Sequence, residues 1–225
     1  VAADDLRWML TLSAPLVRAR LIPYDSRGGL TPKTVARGVS AVARLFEDGR
    51  HRTRDQVMAD LAAQRIPGLS AWALGHVLMH AELDAIICSG APAGSRQTYA
   101  PFSSRVPAGP SLSRDEAVVE LARRYFTSHA PATLRDFRWW SGLSAADARR
   151  ALAALPDLQP VRVGDLELLA WRDDEDETAS GPRAHLLQPF DELVVAYTES
   201  RHVVDTKGLL REKKADGLLS RTVLV

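Results

Sequence analysis

The sequence predicts a mainly α fold with small β-hairpins, assembled from one supersecondary unit used twice, and three observations carry that prediction. Apolar residues recur at helical spacing through the first two thirds of the chain. Residues 53–106 read as capped helix, turn, capped helix and hairpin. Residues 113–172 repeat that order beyond a Pro/Gly/Ser-rich stretch, Pro107 to Ser113. Helix, turn, helix, hairpin is the order of a winged helix-turn-helix, so the expected architecture is a pair of tandem winged helix-turn-helix units.

The elements follow in order. Residues 4–20 place Leu6, Met9, Leu10, Leu12, Leu16 and Val17 on a broad apolar face, with Asp4 and Asp5 at the positive helix end. Gly28-Gly29 breaks the chain, and Thr31-Pro32 opens a helix through Val35, Val39, Val42 and Leu45 that stops at Gly49. Residues 1–52 are therefore expected to be a helical N-terminal part, the end of a further winged-helix unit. Within 53–106, Thr53 caps a helix carrying Val57, Met58 and Leu61, Pro67-Gly68 turns, and Ser70 caps a helix through Leu74, Val77, Leu78 and Ala81. A hairpin of Ala85–Cys88 and Gln97–Ala100 follows, with its tip between Ser89 and Ser95.

In the second unit, a helix from Ser113 precedes Thr133, which caps Leu134, Phe137 and Trp140. Ser144 then caps Ala148, Ala151, Leu152 and Leu155, and Gly164-Asp165 turns a hairpin of Val161, Val163, Leu166 and Leu168. Setting Ser70 on Ser144 superimposes Leu74 on Ala148, Val77 on Ala151 and Leu78 on Leu152. The acidic run Asp173–Glu177 and the basic tail 206–217 are expected to be loops, because adjacent like charges repel. Residues 183–225 are expected to form a C-terminal α/β segment. The chain opens without Met and closes on an apolar run, Arg221–Val225, so both ends are expected to continue in a longer protein.

Composition narrows the function. The chain has 225 residues, 46% hydrophobic and 25% charged, as an ordinary globular protein does. Its one cysteine, Cys88, precludes an internal disulfide and fits a cytoplasmic location. No apolar run approaches the ~18 residues of a membrane span. The net charge of +1 hides an asymmetry. Residues 1–150 hold 20 Lys/Arg against 14 Asp/Glu, and residues 151–225 hold 9 against 14. A basic N-terminal part suits a polyanion, although a solvated Arg-rich surface has the same composition.

Catalytic and metal motifs are scarce. His76 and His80 share a helical face, but the glutamate of HExxH and a third ligand are missing, so no metal is expected. There is no GxSxG elbow, and no GxxxxGK[ST] or GxGxxG loop, so no cofactor is implied. Asp191 and Glu192, beside Phe190 and Leu193, are the candidate catalytic carboxylates. Apolar neighbours that desolvate them would raise their pKa toward general acid/base work. The bland reading is a structural pair that caps a helix or binds an Arg.

Contacts to duplex DNA would come from the second helix of each unit and from the wings. In the first unit these are Ser70, Trp72 and His76 with Ser95, Arg96 and Gln97. In the second they are Asp147, Arg149 and Arg150 with Arg162. In Arg135–Trp140, Phe137 and Trp140 fit a buried face, leaving Arg135, Arg138 and Trp139 as contacts. Arg201 completes the set of candidate DNA-binding residues.

Three segments resemble one family. LLQPFDELVVAYTESR (186–201), ARRYFTSHAPATLRDFRWWSGLSAADARRALAAL (122–155) and SRQTYAPF (95–102) are similar, in that order, to the bacterial winged-helix proteins related to the DNA crosslink-repair glycosylases. The opening VAADDLRWML and closing GLLSRTVLV fit as well. The resemblance implies an array of winged helices cupping duplex DNA, damaged DNA included. In some members it implies hydrolysis of the N-glycosidic bond of alkylated or crosslinked purines without metal or cofactor. The family's Gln-apolar-Gln or Gln-apolar-Asp segment lies upstream of the helix that starts here at Asp4. Gln56, Gln64, Gln97, Gln159 and Gln188 all lack a Gln or Asp two residues later. Either that segment belongs to an N-terminal continuation, or the protein never had it; in the second case the alternative to a glycosylase is a DNA-binding or regulatory protein that does not cut.

Overall fold

In unit 1 of the chain, Val1–Arg114, a long helix lies along a helical core that a small sheet closes; unit 2 is Asp115–Val225. The computed structural model describes residues 2–62, 64, 69–109, 112–172, 185–187, 192–200 and 222–224. The expected turn at Pro67-Gly68, the acidic run Asp173–Glu177 and the tail 206–217 lie outside the described residues.

Unit 1 opens with α1 (Ala3–Arg27), which buries Trp8, Leu12, Leu21 and Asp25 on one side. It runs past Pro15 and Pro23 and stops where the Gly28 N–H bonds back to the Tyr24 carbonyl and Gly29 takes a positive φ of 73°. The helix is thus longer than the expected 4–20; the glycine pair, and not the prolines, sets its end. α2 (Pro32–Leu45) begins as its sequence dictates, with Thr31 Oγ1 accepting from the Thr34 N–H and Pro32 in the first turn. A two-residue strand, β1 (Arg52–Thr53), leads into α3 (Arg54–Ala62). The turn between them is fixed by Thr53 and Gln56, each side chain accepting from the other's backbone N–H. α4 (Ala71–Leu83) is capped by Ser70 and followed by β2 (Ile87–Ser89), β3 (Thr98–Pro101) and the short α5 (Phe102–Arg105).

The three strands form an antiparallel sheet in the order β1-β3-β2, pairing Arg52 with Tyr99 and Cys88 with Ala100. The core is Val42, Phe46, Val57, Leu61, Leu74, Val77, Leu78 and Ile87, each at most 3% exposed. Each such side chain contributes about 1.5–3 kcal/mol of burial. α2 meets α4 closely because Gly38 faces Val77: a Cβ at position 38 would lie 2.7 Å from Val77 Cγ2. Arg52 holds β1 in place, its guanidinium bonded to Asp48 at 2.6 and 2.8 Å and to Asp60 at 3.0 Å, and lying over the Phe46 ring. That guanidinium, with the Arg50 N–H, holds the Asp48 carboxyl well below the usual carboxylate range.

Unit 2 is built on α6 (Arg114–His129), which buries Ala117, Val118, Leu121, Ala122, Tyr125 and Phe126 at helical spacing. α7 (Leu134–Ser141) starts in a capping box of Thr133 and Asp136 and ends at Gly142, which is left-handed at φ 71°. Ser144 caps α8 (Ala145–Ala153). The hairpin of β4 (Leu158–Val163) and β5 (Leu166–Trp171) turns at Gly164 and pairs Val163 with Leu166. It is pinned to the helices by Ala132 and Leu169, which exchange backbone hydrogen bonds of 3.2 and 2.8 Å, and by the fully buried Leu168. Strand β6 (His185–Leu187), helix α9 (Glu192–Val195) and strand β7 (Thr222–Leu224) complete the described elements, β6 and β7 pairing antiparallel. The molecule is mainly helical with small antiparallel sheets, and none of its described helices is long and apolar enough to cross a membrane.

Candidate nucleic-acid interface

Trp72, His76, His80 and Asp84 succeed one another at four-residue intervals, which puts them on one stripe of α4. In the sequence Trp72 and His76 read as part of an exposed face. In the structure α1 occupies it. Asp25, buried on α1, bonds the His76 Nδ1 through one carboxylate oxygen at 2.6 Å and the His80 Nε2 through the other at 2.8 Å. Arg18, seven residues earlier, reaches the Asp84 carboxylate and lies 3.3 Å from His80 Nδ1.

Guanidinium groups only donate, so His80 Nδ1 accepts from Arg18 and the ring proton sits on Nε2, directed at Asp25. Trp72 stacks on His76 with centroids 4.1 Å apart, and Gly28 leaves room for its ring. The reading of His76 as a DNA contact is corrected: its side chain is committed to Asp25. The cause is a tertiary contact between residues 51 positions apart, which no local pattern encodes. A cleft of about 500 Å³ opens beside this cluster, lined by Ile22, Leu30, Val35 and Val39 with Arg18 and His80.

The β2–β3 hairpin of unit 1 presents Arg96 and Gln97, both exposed, in a turn closed by mutual backbone bonds of Ala93 and Arg96. Arg96 lies 3.5 Å from Asp55, with side chains 68% and 84% exposed. An ion pair so open to solvent contributes little. In unit 2, Arg149 and Arg150 are exposed on α8. Arg150 bonds Asp147 at 2.7 Å and Asp115 at 2.9 Å, which answers its charge inside the chain. On α7, Arg135 lies 3.5 Å from Glu199, whereas Arg138 is exposed with no ion pair among the described residues. Phe137 is fully buried and Trp140 half-buried. Trp139 is 63% exposed, its Nε1 donating to the Val195 carbonyl at 3.1 Å. Arg201 lies outside the described residues.

Of the two candidate catalytic carboxylates, Asp191 also lies outside the described residues. Glu192 opens α9, accepts from Trp140 Nε1 and lies 3.7 Å from His129 Nε2. Its side chain is 59% exposed, so the desolvation expected from its apolar neighbours is not there. The chain turns Glu192 onto an aromatic cluster in which Tyr125 stacks on His129 at 4.6 Å and packs on Phe137 and Trp140.

Sequence reasoning missed the group that organises this region. Asp136, 0% exposed, bonds the Thr133 N–H and hydroxyl through one oxygen. It also takes the N–H groups of Thr198 at 2.7 Å and Glu199 at 2.6 Å, and the Ser200 hydroxyl at 2.6 Å. Burial alone would push its carboxyl up, but the donors of Ser200, Glu199, Thr133 and Thr198 outweigh it and hold it below its ordinary value. The spacing Thr133-x-x-Asp136 was the available signal; it announces a helix start and says nothing of residues 198–200.

Comparison with known proteins bears on this arrangement. Among solved structures, the DNA glycosylase AlkZ of Streptomyces sahachiroi aligns with a TM-score of 0.73 and 24% sequence identity. The alignment covers 98% of this chain and 63% of that one, so the chain spans 63% of the length of the Streptomyces protein. At that identity the likeness speaks for the fold. No curated protein matches the sequence. The family described as DNA glycosylase AlkZ-like matches residues 1–218. The chain belongs to the AlkZ-like DNA glycosylase family.

Proposed function

We propose that this chain binds duplex DNA through two winged helix-turn-helix units, as the DNA-holding part of a repair glycosylase acting on alkylated or crosslinked purines. The family match along residues 1–218 is the observation that carries the reading. An enzyme that excises a base must grip the duplex around an atom hidden in the stack, and the grip is electrostatic. Arg138 and Arg149, exposed and without an ion pair among the described residues, hold phosphates in unit 2. Arg135 and Arg150 in unit 2, and Arg96 in unit 1, exchange their carboxylate partners for phosphate, and Gln97 accompanies Arg96 on its hairpin. Glu192, bonded to Trp140, positions the aromatic cluster rather than reacting.

A second reading, DNA binding without excision, holds if no Gln-apolar-Gln or Gln-apolar-Asp segment accompanies these 225 residues in the full-length protein. Both readings meet the same experiment. The full-length protein is incubated with duplexes carrying one N7- or N3-alkylpurine, and strand breaks are scored after alkali. Retention of the lesion duplex without strand breaks supports the second reading; strand breaks above the protein-free rate would eliminate it. Failure to retain any duplex would refute both.

A further inference from the structure

We propose that α2 carries a phosphate-binding stripe made of Lys33, Arg37 and Arg44, which grips one strand of a DNA duplex. The inference deepens the DNA-binding reading above and rests on it.

Residues 18–44 hold six cationic side chains, Arg18, Arg20, Arg27, Lys33, Arg37 and Arg44, against a single carboxylate, Asp25. That carboxylate is buried and bonded to two imidazoles, so it offers nothing to the surface cations. Two of the six are engaged elsewhere, Arg18 with Asp84 and Arg27 over the Tyr24 ring. α2 itself contains no Asp or Glu. Offsets of four and seven residues return to nearly the same azimuth of an α-helix, so Lys33, Arg37 and Arg44 form one row. At ~1.5 Å of rise per residue the row is about 16 Å long, close to the axial rise of five phosphates at ~3.4 Å per strand.

Two further facts separate this row from the cations chosen on sequence grounds. Lys33, Arg37 and Arg44 are exposed, and among the described residues their side chains form no ion pair or hydrogen bond; Arg96, Arg135 and Arg150 each lie against a carboxylate. Moving the α2 cations onto phosphate therefore forfeits no internal contact. The helix is also held rigidly. The helix buries Val42 opposite the row and Gly38 and Ala41 beside it, with Gly38 against Val77 of α4, so the row is presented at fixed geometry. Of the two carboxylates that follow α2, Glu47 and Asp48, the second is already clamped by Arg52.

The test compares the whole wild-type chain with K33Q/R37Q/R44Q and with a control of equal charge loss, R50Q/R123Q/R172Q, at exposed arginines that each lie against a carboxylate and outside the proposed contacts. Affinity for a fluorescent duplex of mixed sequence is followed by anisotropy between about 50 and about 200 mM NaCl. Each phosphate contact contributes ~0.9 to the slope of log K against log salt. The α2 variant is expected to lower that slope by about 2–3 and the affinity at ~0.1 M salt on the order of 10²-fold, while the control lowers the slope by less than ~1. As a check on folding, single R37Q is expected to lower the slope by about 1, and R37K to leave it unchanged. A wild-type chain that binds with a slope the α2 variant does not alter would overturn the inference and leave the DNA-binding reading standing. So would a control that loses more slope than the α2 variant. Absence of wild-type binding at 50 mM salt would overturn both.

Discussion

Replacing Asp136 by Ala removes the acceptor shared by the start of α7 and the 198–200 segment, and the size of the loss follows from its donors. The N–H of Thr133 and the hydroxyl of Ser200 belong to residues 4% and 1% exposed, so neither can turn to water. The Thr198 N–H sits on an exposed residue and can be rehydrated. Each donor left buried and unsatisfied costs about 1–3 kcal/mol, and loss of the box adds roughly 1 kcal/mol. The terms share one site and relax together, so the expected loss is about 3–5 kcal/mol. Urea unfolding followed by tryptophan fluorescence, to which Trp139 and Trp140 beside this site contribute, measures it.

Acid provides the second arm of the same experiment. Asp136 titrates lower in the folded protein than in the unfolded chain. Its stabilisation is therefore complete above the unfolded value of about 3.9 and fades as pH falls from there through the folded value. The gap between wild type and the non-titrating Asp136→Asn should be constant from pH 7 to about 5 and shrink below about 4. A loss under ~1 kcal/mol for the alanine variant, or a gap that does not narrow in acid, would refute this account.

Three other perturbations probe the remaining joints. Asp25→Ala strands the imidazole donors of His76 and His80 in the interior of unit 1; a destabilisation of about 2–4 kcal/mol is expected by urea denaturation, and a value near zero would show that the α1–α4 contact is incidental. Gly38→Ala places a Cβ 2.7 Å from a Val77 methyl that is itself buried, so melting should fall by an amount equivalent to about 1–3 kcal/mol; an unchanged melting temperature would mean α2 and α4 can separate freely. Burial pushes the Cys88 thiol up, so labelling by a disulfide reagent at pH 7 should be slower than that of a free cysteine, and labelling at the free rate would contradict the placement of β2.

The helix starts were legible because capping is local. Thr31, Ser70, Thr133 and Ser144 each announce a helix through one side chain and one N–H three residues on, and the structure uses all four. β1 was not legible, because a two-residue strand has no alternation to detect; it exists through pairing with β3 and the Arg52 clamp. The covering of α4 by α1 was equally hidden. His76 and Trp72 look like a free helical face until Asp25, far back in the sequence, is folded onto it. Charge counting had the converse weakness. It treated all arginines alike, whereas the structure separates Arg150, already bonded to two carboxylates, from Arg37, which has none among the described residues.

Binding of the whole chain to duplex DNA across a salt titration, with and without one alkylated purine, tests the central claim most directly. The account predicts binding that weakens steeply between 50 and 200 mM salt, as phosphate neutralisation requires, and that is tighter on the lesion duplex. Binding insensitive to salt, or none at 50 mM, would contradict it.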